Sequence, residues 1–89
     1  MDITEIRVSL RDDDKLKAFV SITIDNCFVV RGLKVIKGGK GLFVAMPSRR
    51  KPEGGYQDLC HPINMETRQL MEEMIKAKYL EEVEKSMVG

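Results

Sequence analysis

The stretch "LKAFVSITI", residues 16–24, constrains the fold more than any other. Leu16, Ala18, Val20, Ile22 and Ile24 alternate without a break, with Lys17, Ser21 and Thr23 on the opposite side and Phe19 among them. A period of two belongs to a strand that lays one face on a core. Asp25 and Asn26 follow, a pair suited to a tight turn, so the next run should return as the second arm of a hairpin. That run, "CFVVRGLKVIK" at 27–37, is apolar on both faces at Phe28, Val29, Val30, Val35 and Ile36, and Gly32 in its middle marks a bulge or bend.

The flanking segments extend the pattern. "TEIRVSL", residues 4–10, places Ile6, Val8 and Leu10 on one face, and "DDDK" at 12–15 is an Asp-rich turn. "GGKG" at 38–41 is a second turn, "LFVAMP" at 42–47 is a short strand ended by proline, and residues 56–60 could add one more strand. "HPIN" then leads into a helix expected over about residues 65–83, with Asn64 as N-cap, Glu66 in the first turn and a frayed tail at 84–89. Leu70, Met71, Met74, Ile75 and Ala77 form its apolar stripe; Arg68, Glu72, Glu73 and Lys76 lie outside it, with Glu72 and Lys76 as an i,i+4 pair.

The expected architecture is α+β: a small antiparallel sheet of four to five strands followed by one C-terminal amphipathic helix, all in a single domain over residues 1–89. One helix covers one sheet face. Phe19, Phe28, Val30, Ile36 and Phe43 then call for a second cover, which predicts a homodimer formed by edge pairing or face packing of the 27–37 strand.

Several function classes fall away. There is no GxSxG, P-loop or HExxH pattern, and "KGGKG" lies between strands instead of opening a helix, so no enzyme and no small-molecule substrate is expected. His61 is assigned a structural role at the helix entry. Cys27 and Cys60 form no CxxC pair and are expected as buried or half-buried thiols. Together with the single His61 they fall short of the four ligands of a structural zinc, so neither metal nor cofactor is expected. No apolar run approaches the ~20 residues of a membrane span, and the N-terminus lacks the pattern of a signal peptide, so a cytoplasmic protein is expected.

Charge distribution is the informative feature. The net charge is only +1, yet residues 26–52 hold seven cations (Arg31, Lys34, Lys37, Lys40, Arg49, Arg50 and Lys51) and no carboxylate. Such a block points to a polyanionic partner. In "PSRRKPEGG", residues 47–55, prolines and glycines frame three of these cations on what reads as a loop. Arg49, Arg50 and Lys51 are the candidate phosphate contacts, assisted by Lys37 and Lys40 if the two turns share one end of the sheet. The five aromatics stand mostly in apolar runs and are expected in the core, which argues against base stacking.

The segments "ITEIRV", "SITIDNCFVVRGLKVI", "GLFVAMPSRR" and "HPIN" together resemble the stage V sporulation protein G (SpoVG) family over about residues 1–80. The resemblance implies a small α+β protein that dimerises, binds DNA and in some members RNA, and takes part in gene regulation, septation and sporulation control. It also implies nucleic-acid contact for the cation pair after "MPS", here Arg49 and Arg50. Lys51 stands where other members often have a polar residue, and Cys60 replaces a commonly small one, which favours packing over redox chemistry. The alternative function is a division septation factor that works through protein contacts, using exposed apolar strand or the acidic helix.

Overall fold

The computed structural model describes residues 1–88. Six strands precede one helix: β1 (Ile3–Leu10), β2 (Leu16–Ile24), β3 (Phe28–Gly38), β4 (Gly41–Ala45), β5 (Ser48–Arg50), β6 (Tyr56–Asp58) and α1 (Met65–Val88). The first four form an antiparallel meander in the order β1-β2-β3-β4, and β5 pairs with β6 in a separate ribbon. The α+β class expected from the alternation is the one observed.

The hairpin turn between β2 and β3 follows from its residues. Asp25 and Asn26 adopt φ values of 51° and 56°, the left-handed region that short polar side chains tolerate. The N-terminal strand ties this turn down: Asp25 N–H donates to the Asp2 carbonyl at 2.8 Å, and Asn26 N–H donates to Thr4 Oγ1 at 3.0 Å. Further along, the β2–β3 register shifts between Val20↔Leu33 and Ile22↔Val30. Gly32 sits in that bulge with φ +92°, and a Cβ there would lie 3.6 Å from the Pro47 ring. The bulge keeps Leu33 and Val30 on the same face despite their odd spacing.

That face is the core. Ala18, Val20, Ile22, Leu33 and Val35 are at most 2% exposed, and Val44, Met46, Met71 and Ile75 complete the buried set. Helix α1 crosses the sheet and packs against β1 and β4. Its start is capped as the sequence predicts: Thr67 N–H donates to Asn64 Oδ1 at 2.8 Å. The stripe, however, is narrower than expected. Met71 and Ile75 are buried, whereas Leu70 is 50% exposed and Ala77 is also exposed. The buried row follows the i,i+4 line through Thr67, Met71, Ile75 and Tyr79, and Arg68, Glu72 and Lys76 are half-buried beside it instead of fully solvated.

The helix also continues to Val88, beyond the expected end near residue 83. Ion pairs support the last turns: Lys85–Glu81 at 3.2 Å and Lys78–Glu82 at 3.5 Å, in place of the expected Glu72–Lys76 pair. Of the tail predicted to fray, residues 84–88 are helical and residue 89 lies outside the described residues. No helix among the described residues is long and apolar enough to cross a membrane.

Strand order narrows where the 27–37 segment, expected to pair by an edge or pack by a face, can offer an edge. β3 is bonded to β2 on one side and, over Lys34–Gly38, to β4 on the other. The outer strands of the sheet are β1 and β4. Only the N-terminal half of β3 has a side without a ladder partner.

Candidate nucleic-acid interface

The basic segment is more ordered than a loop. Ser48↔Asp58, Arg49↔Gln57 and Arg50↔Tyr56 pair in register, and Leu59 N–H donates to the Pro47 carbonyl at 2.7 Å to close the base of the ribbon. At the tip, Lys51 N–H donates to the Gly55 carbonyl at 2.9 Å and Gly54 N–H to the Lys51 carbonyl at 3.0 Å. Gly54 and Gly55 have φ of 103° and 81°, which explains two glycines at this reversal. The ribbon therefore holds its cations on fixed backbone, lowering the ordering cost of binding.

Strand geometry separates the two arginines. Adjacent residues point to opposite faces, so Arg49 shares a side with Gln57 and Arg50 with Tyr56. The Arg49 guanidinium reaches Gln57 Oε1 at 3.5 Å. Both arginines are exposed and Lys51 is half-buried. The ribbon thus offers a cation on each side and cannot close both guanidinium groups on one phosphate oxygen pair from a single face. Lys37 and Lys40 are exposed at the β3–β4 turn, where Gly38 pairs with Gly41. β4 runs away from that turn, about 13 Å at strand rise, before the ribbon begins. Lys37 and Lys40 therefore enter from the far end of β4 relative to the root of the ribbon.

The aromatics are not where an apolar run suggested. Phe19, Phe28 and Phe43 are 36%, 64% and 43% exposed, and Tyr56 is 72% exposed. Phe19 and Phe43 alternate with core residues and so occupy the sheet face turned away from α1. The signal was available at Phe19, which stands between Lys17 and Ser21 on the polar side of β2. A groove of about 610 Å³ wraps the β4 edge between this face, the ribbon and α1; Lys34, Phe43, Tyr56, Asp58, Arg68 and Glu72 line it. A second recess of about 320 Å³ lies between Arg7, Phe19, Ser21 and Arg31.

Cys27 and Cys60 are both exposed, contrary to the expected buried thiols. Each falls beyond the end of a strand, Cys27 in the β2–β3 turn and Cys60 in the bend before α1, where no second layer covers it. His61 Nδ1 lies 3.0 Å from the Pro62 carbonyl, a local contact in which the ring donates. Cys60 and His61 also border an apolar cavity of about 140 Å³ with Met1, Ile24, Val30 and Met46.

Comparison with known proteins gives a consistent result. The sequence profile of the SpoVG family matches residues 1–81. The chain is 54% identical over 85 residues to a protein of Anaeromyxobacter sp. (strain Fw109-5), covering 96% of this chain and 88% of that one. It is 54% identical over 87 residues to one of Bdellovibrio bacteriovorus (98% and 80% covered) and 47% identical over 89 residues to one of Myxococcus xanthus (100% and 90% covered). All three carry the name "Putative septation protein SpoVG".

Proposed function

The chain belongs to the SpoVG family, and we propose that it is a dimeric nucleic-acid-binding regulator, connected to septation as its relatives' names indicate. The observation that carries the proposal is the β5–β6 ribbon. It presents Arg49 and Arg50 exposed, on paired backbone, within a stretch of 27 residues, 26–52, that holds seven cations and no carboxylate. Phosphates are its natural counter-charge, through counterion release and charge-assisted hydrogen bonds. Lys51 adds charge at the tip, and Lys37 and Lys40 extend the field along β4. DNA and RNA are both candidate partners, and a dimer would present two ribbons.

A salt titration of binding to short duplex DNA tests this. With about four phosphates neutralised, the log–log slope is roughly −3.6, a loss of about 150-fold between about 50 and 200 mM salt. Arg49→Ala/Arg50→Ala removes about 1.8 from that slope while leaving the far-ultraviolet circular dichroism unchanged. A wild-type slope near zero refutes the phosphate clamp.

The second reading is a septation factor acting through protein contacts. The outward side of α1 favours it, with Leu70, Leu80 and Met87 at 50%, 57% and 81% exposed. Capture of division proteins that survives nuclease treatment and is lost in Leu70→Asp/Leu80→Asp supports this role over direct nucleic-acid binding.

A further inference from the structure

We propose that the sheet face turned away from α1 is a stacking platform for single-stranded nucleic acid. Phe19, Phe43 and Tyr56 take bases, and Arg7, Arg31 and Lys34 take phosphates. The proposal rests on the nucleic-acid reading and deepens it: the ribbon supplies charge, and the sheet supplies preference for unpaired bases.

Register places these residues in rows. Ser9, Phe19, Lys34 and Ala45 stand side by side across β1, β2, β3 and β4, and Ile36 and Phe43 form the next row on the same face. Phe19 and Phe43 are two strands and two residues apart, about 12 Å by sheet geometry, too far to share one base and suited to separate ones. Tyr56 lines the same groove as Phe43. Between the two rings stand Lys34 and Ile36 of β3, and the positions beside the rings, Ser9, Ser21 and Ala45, are small. The Arg11 guanidinium lies over the Phe19 ring, 5.0 Å from its centroid, so a base reaching this ring stacks by displacing it.

Charge selects the occupant. Glu5 is the single carboxylate in the four strands, and Arg7 already holds it at 3.4 Å. Asp58 and Glu72 border the groove only at its ribbon and helix sides. A second copy packed face to face across a two-fold axis would set Arg7, Arg31 and Lys34 against cations of the same face, a costly like-charge juxtaposition. A polyanion with flat, exposed bases meets both the rings and the cations. Duplex DNA meets only the cations, because its bases are stacked inside. Aromatic platforms bind by the π-face of any base, so oligo(dT) and oligo(U) are expected within a few-fold of each other.

The test compares wild type with Phe19→Leu/Phe43→Leu, which keeps apolar volume and removes the rings. Oligo(dT) affinity is expected to fall at least about 30-fold for two stacked bases, while duplex affinity and its salt slope stay unchanged. Phe19→Tyr/Phe43→Tyr, which retains rings, is expected to keep wild-type affinity. Equal oligo(dT) affinity in the leucine variant overturns the platform and leaves the ribbon reading standing. A wild type that binds neither duplex nor single strand overturns both. A leucine variant that turns a dimer into a monomer by sedimentation assigns this face to a second copy and overturns the platform. The chain has no Trp, so Phe43→Trp supplies a single reporter independent of affinity. Indole quenching on addition of oligo(dT) is expected, and an unquenched indole at saturating oligo(dT) contradicts stacking.

Discussion

The two faces of the four-stranded sheet are built from the same strands and have opposite characters. On the α1 side, Ala18, Leu33, Val35 and Ile75 are fully buried. On the other side, Phe19, Val29 and Phe43 are 36%, 48% and 43% exposed, with Arg7 and Lys34 among them. Alternation alone assigns the residues to faces, but the single helix decides which face becomes core. Large apolar side chains on the free face therefore contribute little to stability and are available for recognition.

Substitutions on the covered face should cost most. Ile75→Ala is expected to destabilise the domain by about 2–5 kcal/mol, measured by denaturant unfolding. A loss below about 1 kcal/mol would mean that α1 does not define the core face. Gly32→Ala comes next. Space for the methyl group exists, since Pro47 lies at ordinary contact distance, but φ of +92° strains any residue with a Cβ. A loss of about 1–3 kcal/mol is expected, with the register of β3 at risk because the bulge keeps Val30 and Leu33 on one face. On the free face, Phe19→Ser should cost about 1 kcal/mol, since the ring is 36% exposed and Arg11 lies over it; a core-sized loss would show that this face is covered in solution.

The smallest effect concerns the end of α1. The side-chain contact with Lys85 and the nearby Lys78 charge hold the Glu81 carboxyl below its ordinary value, and Glu81 together with Glu82 raises Lys85. A depressed carboxylate contributes above its unfolded value of 4.5 and loses that contribution as pH falls through its folded value. A raised lysine contributes below its unfolded value of 10.5 and loses it as pH rises through its folded value. Helicity at residues 81–88 should thus decline at both extremes, read by carbonyl and Cα chemical shifts, and Lys85→Met should reduce the acid-side change, the Lys78 contact with Glu81 retaining the rest.

Much of this was legible in residue order. The period-two runs of β1 and β2, the Asp25–Asn26 turn, the Gly32 bulge and the Asn64 cap all rest on local chemistry that a sequence displays. What was hidden depended on the third dimension. Phe43 could be set outside the cover of α1, but its 43% exposure, with no second layer over it among the described residues, could not be read from its apolar run. The ribbon of β5 and β6 has three residues per strand, too few to show a period, and its cations read as loop. The opposed orientation of Arg49 and Arg50 follows from that pairing and could not be seen before it.

The most direct measurement is an amide chemical-shift map of the isotope-labelled protein titrated with oligo(dT) at low salt. The structure predicts shifts at Arg49, Arg50, Gln57, Phe19, Lys34 and Phe43, with the buried row at Met71 and Ile75 unmoved. Shifts confined to the outward side of α1, or none at saturating oligonucleotide, would contradict a nucleic-acid surface formed by the ribbon and the free sheet face.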